Sequence, residues 1–323
     1  MGRADIVWRI GVVLVWAGCL LVAFVAFQLW GTALYTDHAQ GNLRTQLDHK
    51  LGRTSLPLAS LESARPGSDP AKSSGIPPIA TSVAPTTAQP GVGQPIGLLA
   101  IPKLGLDDVV VQGTGEPQLQ GGPGHYLGTA LPGQMGNAAI AGHRTTFAAP
   151  FYDLNELVRG DPVFVLTSQG LFRYDVAFSE VVSPGDTAVL DTASYPELTL
   201  TTCNPRYSAS SRLVVVALLD LGAKAPSIPS TKGPATNHDA RPQVPASDLS
   251  QSLAGSTSGQ GGQVLPAVIW GVLFLAGLVA LRVGARRLRR PVSWGCYVVG
   301  VPLLLAALFL CFSHVSLALP ASF

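Results

Sequence analysis

The run Leu198 to Leu219, LTLTTCNPRYSASSRLVVVALL, constrains the fold more than any other stretch of the chain. Two apolar, β-branched segments, Leu198 to Thr202 and Leu213 to Leu219, flank a polar loop with Asn204-Pro205 and a Ser-rich stretch, the pattern of two strands joined by a turn. Cys203 ends the first segment and Arg212 opens the second. An antiparallel pairing brings the two to one edge of a sheet. A thiol beside a fixed cation is one way to set a nucleophile next to an anion-stabilising group.

The rest of the chain divides by texture. Hydrophobic residues make up 47% and charged residues 12%, a charged share low for a soluble protein, and the excess lies in strongly apolar terminal regions. The net charge is +2 with no basic patch carrying interleaved aromatics, so a nucleic-acid partner is not expected. Of the cysteines, Cys19, Cys296 and Cys311 fall in the apolar ends, where a cysteine usually acts as a small hydrophobe. Cys203 stands alone in the middle region. If that region is exported, an unpaired cysteine there points to an intermolecular partner or a reactive thiol.

Residues 1–30 read as a cytoplasmic start and a first transmembrane helix. The apolar run Ile6 to Trp30, about 25 residues, spans roughly 37 Å as a helix, enough for a hydrocarbon core of about 30 Å. It is too long for a signal-peptide core and ends in Gln28-Leu29-Trp30, so an uncleaved anchor is expected, with Arg3 and Arg9 holding the N-terminus inside. Residues 31–95 are a juxtamembrane segment, with a short helix in 34–51, followed by a Pro/Ser/Ala-rich extended linker able to hold a domain away from the bilayer. Residues 222–263 form a second flexible linker. Two further transmembrane helices, 264–283 and 292–323, flank a basic loop, 284–291, that the positive-inside rule puts in the cytoplasm.

Between these, residues 96–221 form one extracellular domain of short strands with Gly/Pro punctuation. The strands expected are Gly97 to Ile101, Asp108 to Gln112, Ala138 to Ala141, Pro162 to Thr167, Phe172 to Val182, Leu198 to Thr202 and Leu213 to Leu219, with a short helix at Phe151 to Leu157. The fold class is mainly β, a closed barrel or a sandwich. In AAIAGHRTTF, Ala138 to Phe147, His143 follows directly on a strand and a glycine. A single His and a single Cys are more often structural than catalytic. Here both lie at strand ends, and Arg212 lies at the matching edge. A free thiol is only a few per cent thiolate at pH 7, so a cysteine enzyme needs a proton acceptor or a cationic neighbour, which His143 and Arg212 can supply.

LTLTTC, the Arg212 that follows, and the upstream GHR resemble the signature of sortases, the membrane-anchored cysteine transpeptidases of Gram-positive bacteria. The segment GPGHYLGTALPGQMGNAAIAGHRTTF and the C-terminal membrane segments are most similar to class E, the actinobacterial housekeeping type. The resemblance implies an eight-stranded β-barrel with one N-terminal and two C-terminal transmembrane helices. It implies that Cys203 attacks the Thr-Gly bond of a C-terminal sorting signal, LAXTG or LPXTG, to form a thioacyl enzyme. His143 is then the general acid and base, and Arg212 holds the substrate and the oxyanion. The partners implied are secreted proteins bearing such signals, a lipid-linked peptidoglycan precursor as the amine acceptor, and the membrane.

His125 and Tyr126 in GPGHY either line the substrate groove or are a turn histidine and a packed tyrosine. Thr201 and Thr202 flank the nucleophile and either position it for substrate or are ordinary strand threonines. Arg144 is expected to be solvated, and Arg206 is a weaker candidate for substrate contact. A metal site is not expected, because Cys203, His125 and His143 lack paired ligand spacing and a fourth ligand. No cofactor is expected either. The alternative function is a membrane-tethered extracellular binding or sensing module with a non-catalytic Cys203.

Overall fold

The computed structural model describes residues 3–52, 56–61, 64, 66, 77–222, 264–287 and 290–318. Its centre is a closed barrel of eight strands: β1 (Pro95–Ile101), β2 (Leu106–Gln112), β3 (Gly124–His125), β4 (Asn137–Ala141), β5 (Pro162–Thr167), β6 (Gly170–Val182), β7 (Glu197–Asn204) and β8 (Ser211–Leu219). They close in the order β1-β2-β3-β4-β7-β8-β6-β5. The seven strands expected from sequence all form, most of them extended by one or two residues at an end. The eighth, β3, has two residues and so carries no periodicity to read. The helix expected at Phe151 to Leu157 is a single 3-10 turn, Leu154–Glu156.

Alternation fills the interior. Leu198 and Leu200 of β7, Leu213, Val215, Ala217 and Leu219 of β8, and Ala138 and Ile140 of β4 share one core with Phe151, Phe172 and Tyr174. Strand period then turns Thr199, Thr201 and Cys203 to the opposite face of β7 from Leu198 and Leu200. Around β1 and β5 the outer wall is covered as well, which is why all seven residues of the PIGLLAI strand are buried.

That cover comes from the juxtamembrane helix together with residues of the stretch read as a spacer. A helix of 20 residues, Thr32–Leu51, sends Leu43 and Leu47 into a second core with Leu98, Val109, Phe164 and Leu166 of the barrel. Leu56, Leu61, Ala64 and Ile79 join the same cluster. Farther on, the main-chain N–H of Ala80 donates to Leu171 and that of Ala84 to Gly133. The described part of 31–95 therefore wraps the barrel rather than distancing it. Leu43, Leu47 and Leu51 keep the i, i+4 spacing of the expected helix, whereas the Pro/Ser/Ala-rich stretch after it has no helix or strand period and so reads as a free linker.

Gln40 of this helix does the work of a missing strand. β3 pairs with β2 only at Val111 and Gln112, leaving the Val109 main chain without a strand partner on that side. The Gln40 amide supplies both bonds: Nε2 donates to the Val109 carbonyl at 3.0 Å, and Oε1 accepts from the Val109 N–H at 2.8 Å. A third bond runs from Nε2 to the Gly121 carbonyl at 2.8 Å. Gln40→Ala orphans these buried groups and is expected to cost about 2 to 4 kcal/mol. Hydrogen exchange at the Val109 amide, with the urea midpoint followed by far-UV circular dichroism, measures it. Unchanged protection of that amide would show that water replaces the side chain at little cost.

A separate unit comprises residues 1–32 and 257–321. It contains helices at Arg3–Ala26, Val264–Arg287 and Arg290–Ala318. Phe24 meets Phe312 edge-on at 5.2 Å, and Phe27 meets Phe309 at 5.1 Å. Among the described residues, one stretch, Val264–Val283, is long and apolar enough to cross a membrane, and Gly300–Val315 is a shorter apolar helix. The helices at Val264–Arg287 and Arg290–Ala318 leave only 288–289 between them where a longer basic loop was expected. The linker expected at 222–263 lies, apart from Gly222, outside the described residues.

Candidate active site

The barrel's strand order explains how residues 60 positions apart come to one end. β4 and β7 run parallel, with Ala141 opposite Thr201. Both strands therefore leave the barrel at the same end, where His143 follows β4 and Cys203 closes β7. β8 runs antiparallel to β7 and starts from that end, with Arg212 the register partner of Cys203. The three residues expected to act together are thus delivered by two strand pairings. Sequence indicated the β7–β8 pairing but not the parallel one, because β4 and β7 are far apart in the chain.

Two threonines tie the strands at this point. Thr202 Oγ1 donates to the Gly142 carbonyl at 2.7 Å, and the Gly142 N–H donates to the Thr201 carbonyl at 3.1 Å. The residue before His143 is thereby bonded to both residues before Cys203. Thr201 Oγ1 and the Tyr126 hydroxyl lie 3.0 Å apart. Tyr126 is 4% exposed and close enough to Arg212 and Cys203 to feel both charges, while its burial raises its hydroxyl above the usual value.

His125 departs from the groove-lining expectation. It is fully buried, with Nδ1 3.1 Å from Gln112 Oε1 and Nε2 2.8 Å from the Ala130 carbonyl. Thr129 Oγ1 lies 3.1 Å from the same Nε2. Both ring nitrogens are thus engaged inside the wall, which leaves the ring none to offer a substrate. Arg144 also departs from expectation. It is 5% exposed, and its guanidinium reaches the main chain of β7, Nη1 donating to the Cys203 carbonyl at 3.0 Å. Its place directly after His143 was the only sequence signal for it. Arg206 pairs with Asp153 at 2.6 Å and stacks over Tyr152 at 4.2 Å.

His143 is held by an unusual loop. Phe147, Ala148 and Ala149 have φ of 51, 60 and 48°, a run of left-handed non-glycine residues. This turn lays the Phe147 ring 5.0 Å from His143 at an interplanar angle of 34°. Tyr35, from the helix Thr32–Leu51, meets the Phe147 ring edge-on at 6.4 Å. Nothing in the residue types of TTFAAP foretells that conformation.

Electrostatics make the resting pair neutral. Burial lowers His143 from 6.5 to about 4. Burial also pushes the Cys203 thiol above its ordinary value, while Arg212 and then Arg144 pull it back. A histidine neutral in the fold and protonated in the unfolded chain loses its stabilising contribution as pH falls from 6.5 towards 4. Asp108, raised by burial to about 6, and Glu197, raised to about 7, oppose this trend, so the readout is a comparison with a variant. The stability of His143→Gln relative to the native chain is expected to improve by about 3 kcal/mol between pH 7 and pH 4. Urea titration at the two pH values checks it, and a constant difference would mean that His143 takes up its proton over the same pH range in the fold as in the unfolded chain.

Among the described residues, no group of His, Cys, Asp and Glu has the arrangement to hold a metal ion. What the arrangement offers is a thiol, a neutral imidazole and a guanidinium at one barrel end.

Residues 99–220 match the family model described as the Sortase domain. The chain is similar to Sortase SrtE1 of Streptomyces coelicolor, 32% identical over 225 residues, covering 64% of this chain and 55% of that protein. It is also similar to Sortase D of Bacillus subtilis, 36% identical over 118 residues, covering 36% of this chain and 58% of the relative. The chain thus spans little more than half the length of these curated relatives. A crystal structure of Sortase E1 from Streptomyces coelicolor with a tripeptide in the active site aligns with 34% identity and a TM-score of 0.38, covering 39% of this chain and 88% of that one. With the barrel and these relatives in view, residues 99–220 are a sortase domain.

Proposed function

We propose that this protein is a cysteine transpeptidase that cleaves the Thr-Gly bond of a C-terminal sorting signal and joins the new carboxyl end to a cell-wall amine. The observation that carries the reading is the pair of strand pairings, β4 parallel to β7 and β7 antiparallel to β8, at whose common end His143, Cys203 and Arg212 stand. Cys203 Sγ attacks the threonine carbonyl as its proton passes to His143. The carbonyl oxygen gains negative charge, which Arg212 stabilises. His143 then gives its proton to the departing glycine amine, and a thioester remains on Cys203. An incoming amine attacks that thioester and loses a proton to His143, which returns it to the Cys203 sulfur as the product leaves.

The acceptor class is an amino group of a lipid-linked peptidoglycan precursor. The setting is the outer face of a membrane, with the N-terminus inside and three helices spanning. The helix Val264–Val283 supports one of these spans by its length and composition. The likeness to class E supports LAXTG as the preferred signal over LPXTG.

The burial of Cys203, 8% exposed, is the observation that suits the rival reading of a binding or sensing module with a structural thiol. The deciding experiment incubates the full chain in detergent with LAXTG and LPXTG peptides and a glycine acceptor, and reads products by mass spectrometry. A peptide joined to the acceptor at threonine is the expected product. Intact peptides, together with a Cys203 that methanethiosulfonate does not modify in the folded protein, would favour the binding module.

A further inference from the structure

We propose that Arg144 is a positioning residue for the nucleophile: its guanidinium, buried between the loop that carries His143 and the strand that carries Cys203, fixes the Cys203 main chain and keeps a second positive charge beside the thiol. The assignment rests on the reading of Cys203 as the nucleophile. Arg144 follows His143 in the chain, and its head reaches across to the other strand. Nη1 donates to the Cys203 carbonyl at 3.0 Å and to Asn204 Oδ1 at 2.7 Å. Nη2 donates to Asn155 Oδ1 at 2.8 Å, and Nε lies 3.4 Å from the Tyr152 carbonyl. One rigid planar fork therefore clamps three segments, which a lysine with a single ammonium head does not reproduce.

The identity of these acceptors matters as much as their number. A buried cation is ordinarily paired with a carboxylate, which cancels its field. Arg144 is 5% exposed, yet its hydrogen-bond acceptors are amide and peptide oxygens, while the nearby Asp153 pairs with Arg206 at 2.6 Å. Uncharged acceptors hold the guanidinium in place, Asp153 and Arg206 act on it only through space and with opposite sign, and its charge reaches the Cys203 thiol. The charged groups that act on the thiol are Arg212 from β8 and Arg144 from the loop after β4; Tyr126 after β3 feels the thiol in turn, and His143 directly precedes Arg144 in the chain. Near neutral pH His143 and Tyr126 are uncharged, so the two arginines supply the field that favours thiolate.

The test is alkylation of Cys203 by iodoacetamide across pH 6 to 10.5 in the full chain, read on the Cys203 peptide by mass spectrometry so that Cys19, Cys296 and Cys311 do not interfere. It needs no substrate, so it reports on Arg144 whether or not the chain is a transpeptidase. Arg144→Gln is expected to slow alkylation at pH 7 by roughly tenfold, the effect of about one unit in thiol ionisation, and to reach the native rate at the alkaline limit. Arg144→Lys is expected to keep the native pH profile while peptide transfer falls by roughly tenfold, because charge is retained and the clamp is lost. A native profile in folded Arg144→Gln overturns the assignment. Should that variant not fold, a native transfer rate in Arg144→Lys overturns it. A chain that transfers no peptide but shows the expected profile leaves the assignment of Arg144 standing and removes only the transpeptidase reading.

Discussion

Cys203→Ala in the full chain is expected to lower peptide transfer by at least about 10⁴-fold, because no neighbouring group replaces a covalent nucleophile. The fold should tolerate the change. Cys203 sits at the last turn of β7, and its strand is held by main-chain pairing to β8 and by the Thr202 bond to Gly142, neither of which uses the thiol. Native hydrogen exchange along β7 therefore accompanies the loss of activity. In the native chain a substrate peptide without acceptor should leave an acyl adduct on the Cys203 peptide, released by hydroxylamine. The variant should show no adduct. Residual transfer within tenfold of native would move the nucleophile elsewhere and remove the basis for reading the barrel end as a catalytic site.

How far this site can be read from sequence depends on whether a residue acts through its own strand or through another segment. The β7–β8 hairpin carries its pairing in its own pattern, so the meeting of Cys203 and Arg212 is legible, and the observed register agrees with it. The meeting of His143 with them depends on β4 lying parallel to β7, a pairing across more than 50 residues to which neither strand's composition points. Gln40 and Arg144 act through side-chain bonds to distant main chain, at Val109 and at Cys203, and a single polar residue carries no period that marks such a role. The left-handed turn at Phe147 to Ala149 runs against the preferences of its own residues; main-chain bonds from Ala149 to Thr146 and from Phe151 to His143 hold it, together with the ring contacts of Phe147 to Tyr35 and His143.

The contacts of Gln40, Tyr35 and the second core bear on where the domain can be cut. A fragment cut at Ile96 looks complete by strand count, yet it loses Leu43, Leu47, Leu61 and Ile79 from the second core and the Gln40 bonds that substitute for a strand. It also loses Tyr35, the edge-on partner of the ring against His143. The helix Thr32–Leu51 is therefore part of the catalytic domain in the physical sense, and activity measured without it reports on a barrel with an open wall.

Arg212→Ala is expected to lower kcat by about 10² to 10³-fold, the loss that follows removal of one donor to a developing oxyanion. The position explains why the effect should fall on kcat. Arg212 faces Cys203 across the β7–β8 ladder, and Nη1 is anchored on the carbonyls of Ala209 at 3.1 Å and Ser211 at 3.3 Å. A guanidinium held from behind by the turn does not reorganise when charge appears on the substrate, and that preorganisation makes a fixed donor worth more than a mobile one. It is also the larger of the two arginine influences that draw the Cys203 thiol down, so its loss should slow alkylation at pH 7 as well as transfer. The two contributions separate by pH. If Arg212 acted only on the thiol, raising the pH would restore the Arg212→Ala rate to native; if it also stabilises the oxyanion, a deficit remains at the alkaline limit. Arg212→Lys, which keeps the charge but not the planar fork, should recover the alkylation profile and only part of the transfer rate. Full recovery of transfer in Arg212→Ala at high pH would remove the oxyanion role and leave Arg212 as a charge that tunes the thiol.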